Sequence, residues 1–193
     1  MWRQIVPAVR MTLAITVLTG LVYPLAVTGL AQVLFPRQAK GSLIARNGKV
    51  VGSALIGQNF AGAKYFHPRP SAAGAAGYDA VASGGSNLGP TSQKLIDRVK
   101  HSIQEFRKDN PNYSGPSPAD LVTTSASGLD PHISPASAAA QVARIAAARG
   151  VGPDRIGRVV AAHTEGRDLG FLGEPRVNVL LLNLALDEAL PVR

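Results

Sequence analysis

The stretch Met11-Thr12-Leu13-Ala14-Ile15-Thr16-Val17-Leu18-Thr19-Gly20-Leu21-Val22-Tyr23-Pro24-Leu25-Ala26-Val27-Thr28-Gly29-Leu30-Ala31-Gln32-Val33-Leu34-Phe35 runs 25 residues without a formal charge. At ~1.5 Å of rise per residue a helix of this length spans roughly 37 Å, enough to cross a ~30 Å hydrocarbon layer with some tilt. A cleaved secretory signal has a shorter apolar core of ~7–15 residues and a small-residue cleavage site. Here the run ends in Val33-Leu34-Phe35-Pro36-Arg37, a poor cleavage context. The expectation is a retained transmembrane helix over 11–35, preceded by a short tail (1–10) and followed by one extramembrane domain (36–193).

Inside the run the polar residues have an order. Thr12, Thr16 and Thr19 stand at i, i+4 and i+7 on one helix face, and Tyr23 continues it. Gly20 and Gly29 permit close approach of a second backbone, and Pro24 is placed to kink the helix. Two readings are open. The Thr12, Thr16, Thr19, Gly20, Tyr23 face packs on partner helices, or the threonines bond their own i−4 carbonyls. Orientation is open as well. Arg3 and Arg10 lie on one side and Arg37, Lys40, Arg46 and Lys49 on the other. The bare count points the large domain inward, whereas long exported domains are weakly governed by flanking charge.

The whole chain has 193 residues and a formal charge of +8. Residues 1–40 hold Arg3, Arg10, Arg37 and Lys40 and no acid, so the remainder is only mildly basic. Its cations alternate with acids, as in Asp97-Arg98-Val99-Lys100, and aromatics make up only 5%. A basic stripe interleaved with aromatics is missing, and no nucleic-acid partner is expected. With no cysteine, a disulfide scaffold, a thiol nucleophile and Cys-ligated zinc or iron–sulfur sites are all excluded.

Beyond the anchor, Ile44 to Val51 reads as a hairpin turning at Asn47-Gly48, with a second strand extending toward Gln58. Phe60 to Pro90 is a long irregular stretch rich in Gly, Ala, Ser and Pro. Leu95, Ile96, Val99, Ile103 and Phe106 recur at helical spacing after a Thr91 or Ser92 cap. A second helix should start at Ser134-Pro135 and run to Arg149 before Gly150, and a third should cover Pro153 to His163. Val177 to Leu186 is apolar with little helical phase and reads as a buried strand that passes into a terminal turn of helix. The fold class is therefore α+β: one amino-terminal transmembrane helix and a single mixed extramembrane domain.

Signatures of a self-sufficient enzyme are missing. The chain has no G-x-x-x-x-G-K-[ST], no H-E-x-x-H and no G-x-S-x-G. His67, His101, His132 and His163 lie far apart and give no local metal spacing. No catalytic residue and no metal ligand is expected, and Asp187-Glu188 read as a solvated end. Three segments stand out all the same. Tyr65 to Ser71 gathers aromatics, an imidazole and a guanidinium in a Pro-bounded loop. Ser83-Gly84-Gly85-Ser86-Asn87-Leu88-Gly89-Pro90 precedes a helix start, where exposed amides could hold an anion or merely turn tightly. In Leu121 to Pro135, Asp130 and His132 flank a proline and either pair or bond loop amides.

Together these segments, Y-F-H-P-R-P-S-A, S-G-G-S-N-L-G-P and D-L-V-T-T-S-A-S-G-L-D-P-H-I-S-P, followed by His163-Thr164 and Leu169 to Leu180, resemble the C-subunit family of bacterial Kdp potassium-transporting ATPases. The likeness covers essentially the whole chain, with departures only in variable loops such as Ala72 to Gly77. It implies a non-catalytic, single-pass subunit of the bacterial cytoplasmic membrane. Its partners would be a P-type subunit that hydrolyses ATP, a channel-like potassium-translocating subunit, a small membrane subunit, and the lipid bilayer. The D-K-T-G-T phosphorylation motif of the hydrolysing member is absent here. The resemblance also implies a catalytic chaperone that raises the ATP affinity of the hydrolysing subunit. The loop Ser83, Gly84, Gly85, Ser86, Asn87 is similar to the signature loop of ABC transporters, which makes it the candidate nucleotide contact. No firmly bound cofactor is implied, ATP being reached through the complex. The family likewise places the globular domain on the outer face, capping the potassium entrance of the channel-like subunit. An outward domain meets almost no ATP, so the two implications conflict; the outward placement is preferred, because flanking charges weigh little on long folded domains. Outside the family, an anchored hydrolase would have to work through Asp130 and His132.

Overall fold

The computed structural model describes residues 2–191, which divide into two compact units between Val51 and Gly52. The first is dominated by one long helix. It starts at Trp2 rather than at Met11, so residues 2–10 are helical and Pro7 lies inside the first segment. Helix α1 (Trp2–Val17) passes through a π-helical turn (Leu18–Val22) into α2 (Tyr23–Leu34), and a short α3 (Pro36–Ala39) follows. The π turn has a local cause. Proline has no N–H, and its ring crowds the carbonyl four residues back, here that of Gly20. The widened turn just before Pro24 absorbs that conflict, with the Tyr23 N–H donating to Leu18 C=O five residues back. Over Trp2–Leu34 no side chain is buried, and this 33-residue helix is long and apolar enough to cross a membrane.

A hairpin comes next, β1 (Leu43–Arg46) with β2 (Lys49–Ser53), the latter running across the division between the units. Its turn residues Asn47 and Gly48 have φ of 51° and 76°, the pair of positive values that an Asn-Gly hairpin turn requires. The second strand stops at Ser53 and does not reach Gln58. The Ser53 hydroxyl accepts the Leu55 N–H and its carbonyl accepts the Ile56 N–H, which bends the backbone out of line.

In the second unit, α4 (Gln93–Asp109) follows the irregular stretch, and α5 (Pro135–Arg149) and α6 (Pro153–Ala162) pack on each other. A small antiparallel sheet of order β3 (His132–Ile133), β5 (Arg176–Asn178), β4 (Thr164–Glu165) and a last helix α7 (Val179–Ala189) complete it. The register pairs Ile133 and Thr164 with Val177 from opposite sides. Ile133, Ile145, Ile156, Val177, Leu182 and Leu186 form the centre of the core, where Phe66 joins them from the irregular stretch. Helix α5 has its expected ends: the Ser134 hydroxyl accepts the Ser137 N–H, Pro135 occupies the first turn and Gly150 closes it.

Three further expectations are corrected. Val177 to Leu186 is mostly helix, because α7 is enclosed on several sides; Val179, Leu180, Leu182, Asn183 and Leu186 are all buried. A helix wrapped by core loses the polar stripe that reveals its period. Helix α4 forms over the expected residues, yet only Phe106 of its apolar set is buried, Ile96 stays exposed, and Ser92 makes no side-chain cap bond. Asp187 is not a solvated end. It pairs with the Arg149 guanidinium at 2.9 Å and accepts the Tyr65 hydroxyl at 3.0 Å. Arg149 also donates to the carbonyls of Leu186 and Leu190; Leu186 C=O already accepts the Leu190 N–H, so the guanidinium adds a second bond there and reaches the carbonyl just past the end of α7.

Candidate functional site

Residues 60–90 contain one 3₁₀ turn, Ala80–Ala82, and otherwise no helix or strand. Side-chain amides hold this segment where a neighbouring strand would otherwise do so. The Phe66 N–H donates to Asn183 Oδ1 at 2.8 Å, and Asn183 Nδ2 donates back to Phe66 C=O at 3.0 Å. One residue on, the His67 N–H donates to Gln141 Oε1 at 2.8 Å, and Gln141 Nε2 returns a bond to His67 C=O at 3.2 Å. Both amides are almost fully buried on α7 and α5, so the loop's backbone groups are satisfied inside the core.

From there the chain reaches the third motif. Arg69 Nη1 meets Asp130 Oδ2 at 2.9 Å, and the Tyr78 hydroxyl donates to Arg69 C=O at 2.7 Å. Asp130 Oδ1 accepts the His132 N–H at 3.0 Å and faces His132 Nδ1 at 3.4 Å. The carboxylate and imidazole thus form a pair, and Asp130 in addition accepts a main-chain amide, with Arg69 as a further partner. Burial alone would raise the Asp130 pKa, but the hydrogen bonds and charge of His132 together with Arg69 outweigh it and hold the carboxyl below its ordinary range. Burial, helped by the Asp130 charge, pushes the Tyr78 phenol well above its usual value, so it acts as a neutral donor.

The Gly-rich motif joins the same cluster. Gly84 N–H and the Ser83 hydroxyl both donate to Ser127 C=O, at 2.8 and 3.1 Å. Ser86 Oγ accepts Arg98 Nη2 at 3.2 Å, which ties the loop to α4. Gly85 and Asn87 complete the turn, Asn87 with a positive φ of 48°; a Cβ on Gly85 would stand 2.9 Å from Ala126 C=O. The meeting point is Gly128, at φ 67°, where a Cβ would stand 2.7 Å from Gly84 C=O and 2.8 Å from Ala73 N. Ser71 Oγ donates to Gly128 C=O and accepts the N–H groups of Ala73 and Tyr78. The three motifs that look separate in sequence are thus one hydrogen-bonded cluster.

Beside it lies an open cleft of about 550 Å³ between α4 and the 59–78 loop, lined by His67, Arg69, Tyr78, Glu105, Asp109 and Gln141 among others. None of Ser83 to Asn87 lines it. The His67 ring stands 3.7 Å from Asp109, and burial, followed by the charge of Arg144, lowers its pKa. His67 and Arg69 stand out in the sequence, whereas no local pattern marks α4 as the opposite wall or Gln141 and Asn183 as the amides that fix the loop. No group of three His, Asp or Glu side chains suited to a metal occurs among the described residues.

The second candidate set is in the other unit. Thr12 Oγ1 donates to Ala8 C=O at 2.9 Å and Thr19 Oγ1 to Ile15 C=O at 2.7 Å, the i−4 bonding foreseen as one of two readings. Thr16, Gly20 and Tyr23 share the same exposed helix, and a Cβ on Gly20 would meet nothing.

Comparison with known proteins covers both units. Residues 5–188 match the family model KdpC, described as "K+-transporting ATPase, c chain". A "Potassium-transporting ATPase KdpC subunit" of Myxococcus xanthus is 62% identical over 188 residues, covering 97% of this chain and 89% of that protein. The protein of the same name from Koribacter versatilis is 56% identical over 193 residues, with 100% and 98% covered. That of Rhodospirillum rubrum is 59% identical over 192 residues, with 100% and 99% covered. Matches of this extent, over an anchor-like helix and the interlocked loops alike, establish that the chain belongs to the KdpC family.

Proposed function

We propose that this chain is a non-catalytic, single-pass subunit of a bacterial potassium-uptake ATPase, holding together hydrolysing, channel-like and small membrane subunits. Its head lies on the outer face of the cytoplasmic membrane, capping the potassium entrance, and it supports the hydrolysing subunit through protein contacts. The observation that carries this reading is the helix Trp2–Leu34, which buries no side chain of its own. In water such a surface is costly, and in a bilayer it is at home among lipid and partner helices. The face bearing Thr12, Thr16, Thr19, Gly20 and Tyr23 is the packing seam, since Thr12 and Thr19, bonded back to their own helix, and Gly20 leave small surfaces for close approach. Thr16→Leu with Gly20→Leu is expected to weaken co-purification of the other subunits in mild detergent while the head stays folded. Unchanged co-purification would remove the seam from the account.

Direct nucleotide contact has less support. Ser83, Gly84 and Ser86 bond Ser127 and Arg98, so an ATP phosphate would have to displace internal partners. Calorimetric titration of the whole chain in nanodiscs with a non-hydrolysable ATP analogue distinguishes the two roles. The account expects no saturable heat at ~1 mM, a concentration equivalent to a binding free energy of only about −4 kcal/mol. Saturable binding that Ser86→Ala abolishes would establish the catalytic-chaperone role instead.

A further inference from the structure

Between β4 and β5 the chain makes a finger that the fold does not use. Asp168 and Leu172 exchange backbone hydrogen bonds, each 2.9 Å, closing a three-residue tip of Leu169, Gly170 and Phe171. Leu169 is 83% exposed and Phe171 69%, with Leu172 half exposed beside them. Leu169 sits at φ 53°, a left-handed conformation that costs a leucine free energy and is kept only where the surroundings impose it. Those surroundings are ionic. Arg167 holds Glu174 through both carboxylate oxygens at 2.9 and 2.7 Å. Arg176 holds Asp168 at 3.2 Å and Glu165 at 3.0 Å. Among the described residues, the other exposed large apolar side chains of this unit, Leu55, Val81 and Ile96, are single, and only here do three stand together on a braced loop.

We propose that the Leu169–Phe171–Leu172 finger is an anchor that enters an apolar socket, rimmed by Lys or Arg, on another subunit of the same pump. Its layout is that of a protein-binding hot spot: apolar side chains at the centre, charged pairs around them, and a backbone already closed by hydrogen bonds, which lowers the ordering cost of binding. Rim charge selects the partner class. Glu165, Asp168 and Glu174 outnumber Arg167 and Arg176, a surplus of acid that suits a basic socket and is unfavourable at an anionic lipid surface. The inference rests on the assembly role proposed above and assigns that role a contact point in the head.

The test uses the complete pump in native membranes, with a photoreactive phenylalanine analogue at position 171. Illumination is expected to cross-link this chain to one of the other pump subunits. Cross-linking only to lipid, only to a second copy of this chain, or to nothing would overturn the proposal. In parallel, Leu169→Ser with Phe171→Ser is expected to lower recovery of the other subunits about 30-fold or more, the loss at which an interface residue counts as a hot spot. The head's melting temperature should not change, since neither side chain is in the core. A double variant that melts as the wild type and co-purifies fully refutes the anchor while leaving the assembly role intact. Failure of the wild-type chain to co-purify at all would refute the assembly role itself.

Discussion

Replacing Asn183 by leucine removes the amide that pairs with both backbone groups of Phe66 and keeps a side chain of similar size. Asn183 is 1% exposed and Phe66 is fully buried, so no solvent is at hand for the Phe66 N–H and C=O that lose their partners at 2.8 and 3.0 Å. Each unsatisfied buried group costs ~1–3 kcal/mol, giving about 2–5 kcal/mol for the pair after partial relaxation. At ~2–4 °C per kcal/mol for a protein of this size, the melting temperature of the head should fall by about 4–20 °C. Near-ultraviolet circular dichroism of the full chain in detergent reads this, because Tyr65, Tyr78 and Tyr113 report on the head while the long helix persists in the micelle. The 60–78 loop should also lose amide-exchange protection at Phe66 and His67 before the rest of the core does. A drop below ~2 °C, with protection at Phe66 retained, would mean that the loop is held by something other than this amide, and the construction of the cluster would have to be redrawn.

Gly128→Ala should destabilise the head by about 2–4 kcal/mol, since it adds a Cβ into 2.7 Å of Gly84 C=O and strains a left-handed residue; chemical denaturation measures it, and a change under ~0.5 kcal/mol would contradict the meeting point of the three motifs. For Asp130 the folded pKa is below 3.8, so its contribution is complete above that value and is lost as pH falls through the folded pKa. Asp130→Asn should therefore lower stability at neutral pH and flatten the loss below about pH 4, as followed by denaturant midpoints; an acid limb as steep as that of the wild type would argue against the Arg69 and His132 bonds. His67 is also depressed, from 6.5. The unfolded chain takes up that proton first, so stability is full above pH 6.5 and declines below it; His67→Gln should remove this slope, and an unaltered slope would assign it to another group.

The parts of the fold legible in the sequence are those fixed by near neighbours. Asn47-Gly48 dictates its own turn, and Ser134, Pro135 and Gly150 mark the ends of α5 within one turn of backbone. The unbroken apolar run marked the long helix, but its start at Trp2 was hidden, because Arg3, Pro7 and Arg10 interrupt the pattern without interrupting the backbone. Helix α7 was illegible for a different reason: wrapped in core, it presents no polar face, and its one clear signal was Asn178, whose side chain accepts the Leu181 N–H at the helix start. The motif loops were conspicuous by composition, while their joining was not. Phe66 meets Asn183 across 117 residues and His67 meets Gln141 across 74, and no local pattern encodes such pairings. Arg69 as the partner of Asp130, 61 residues away, went unseen for the same reason.

Reconstituting the pump with and without this chain and measuring potassium-stimulated ATP hydrolysis tests the subunit role itself. The purified chain alone should show no hydrolysis, the pump should be fully active when the chain is present with its partner subunits, and both assembly and activity should be lost when it is omitted. Hydrolysis by the isolated chain, or a pump that assembles and transports normally in its absence, would contradict the claim.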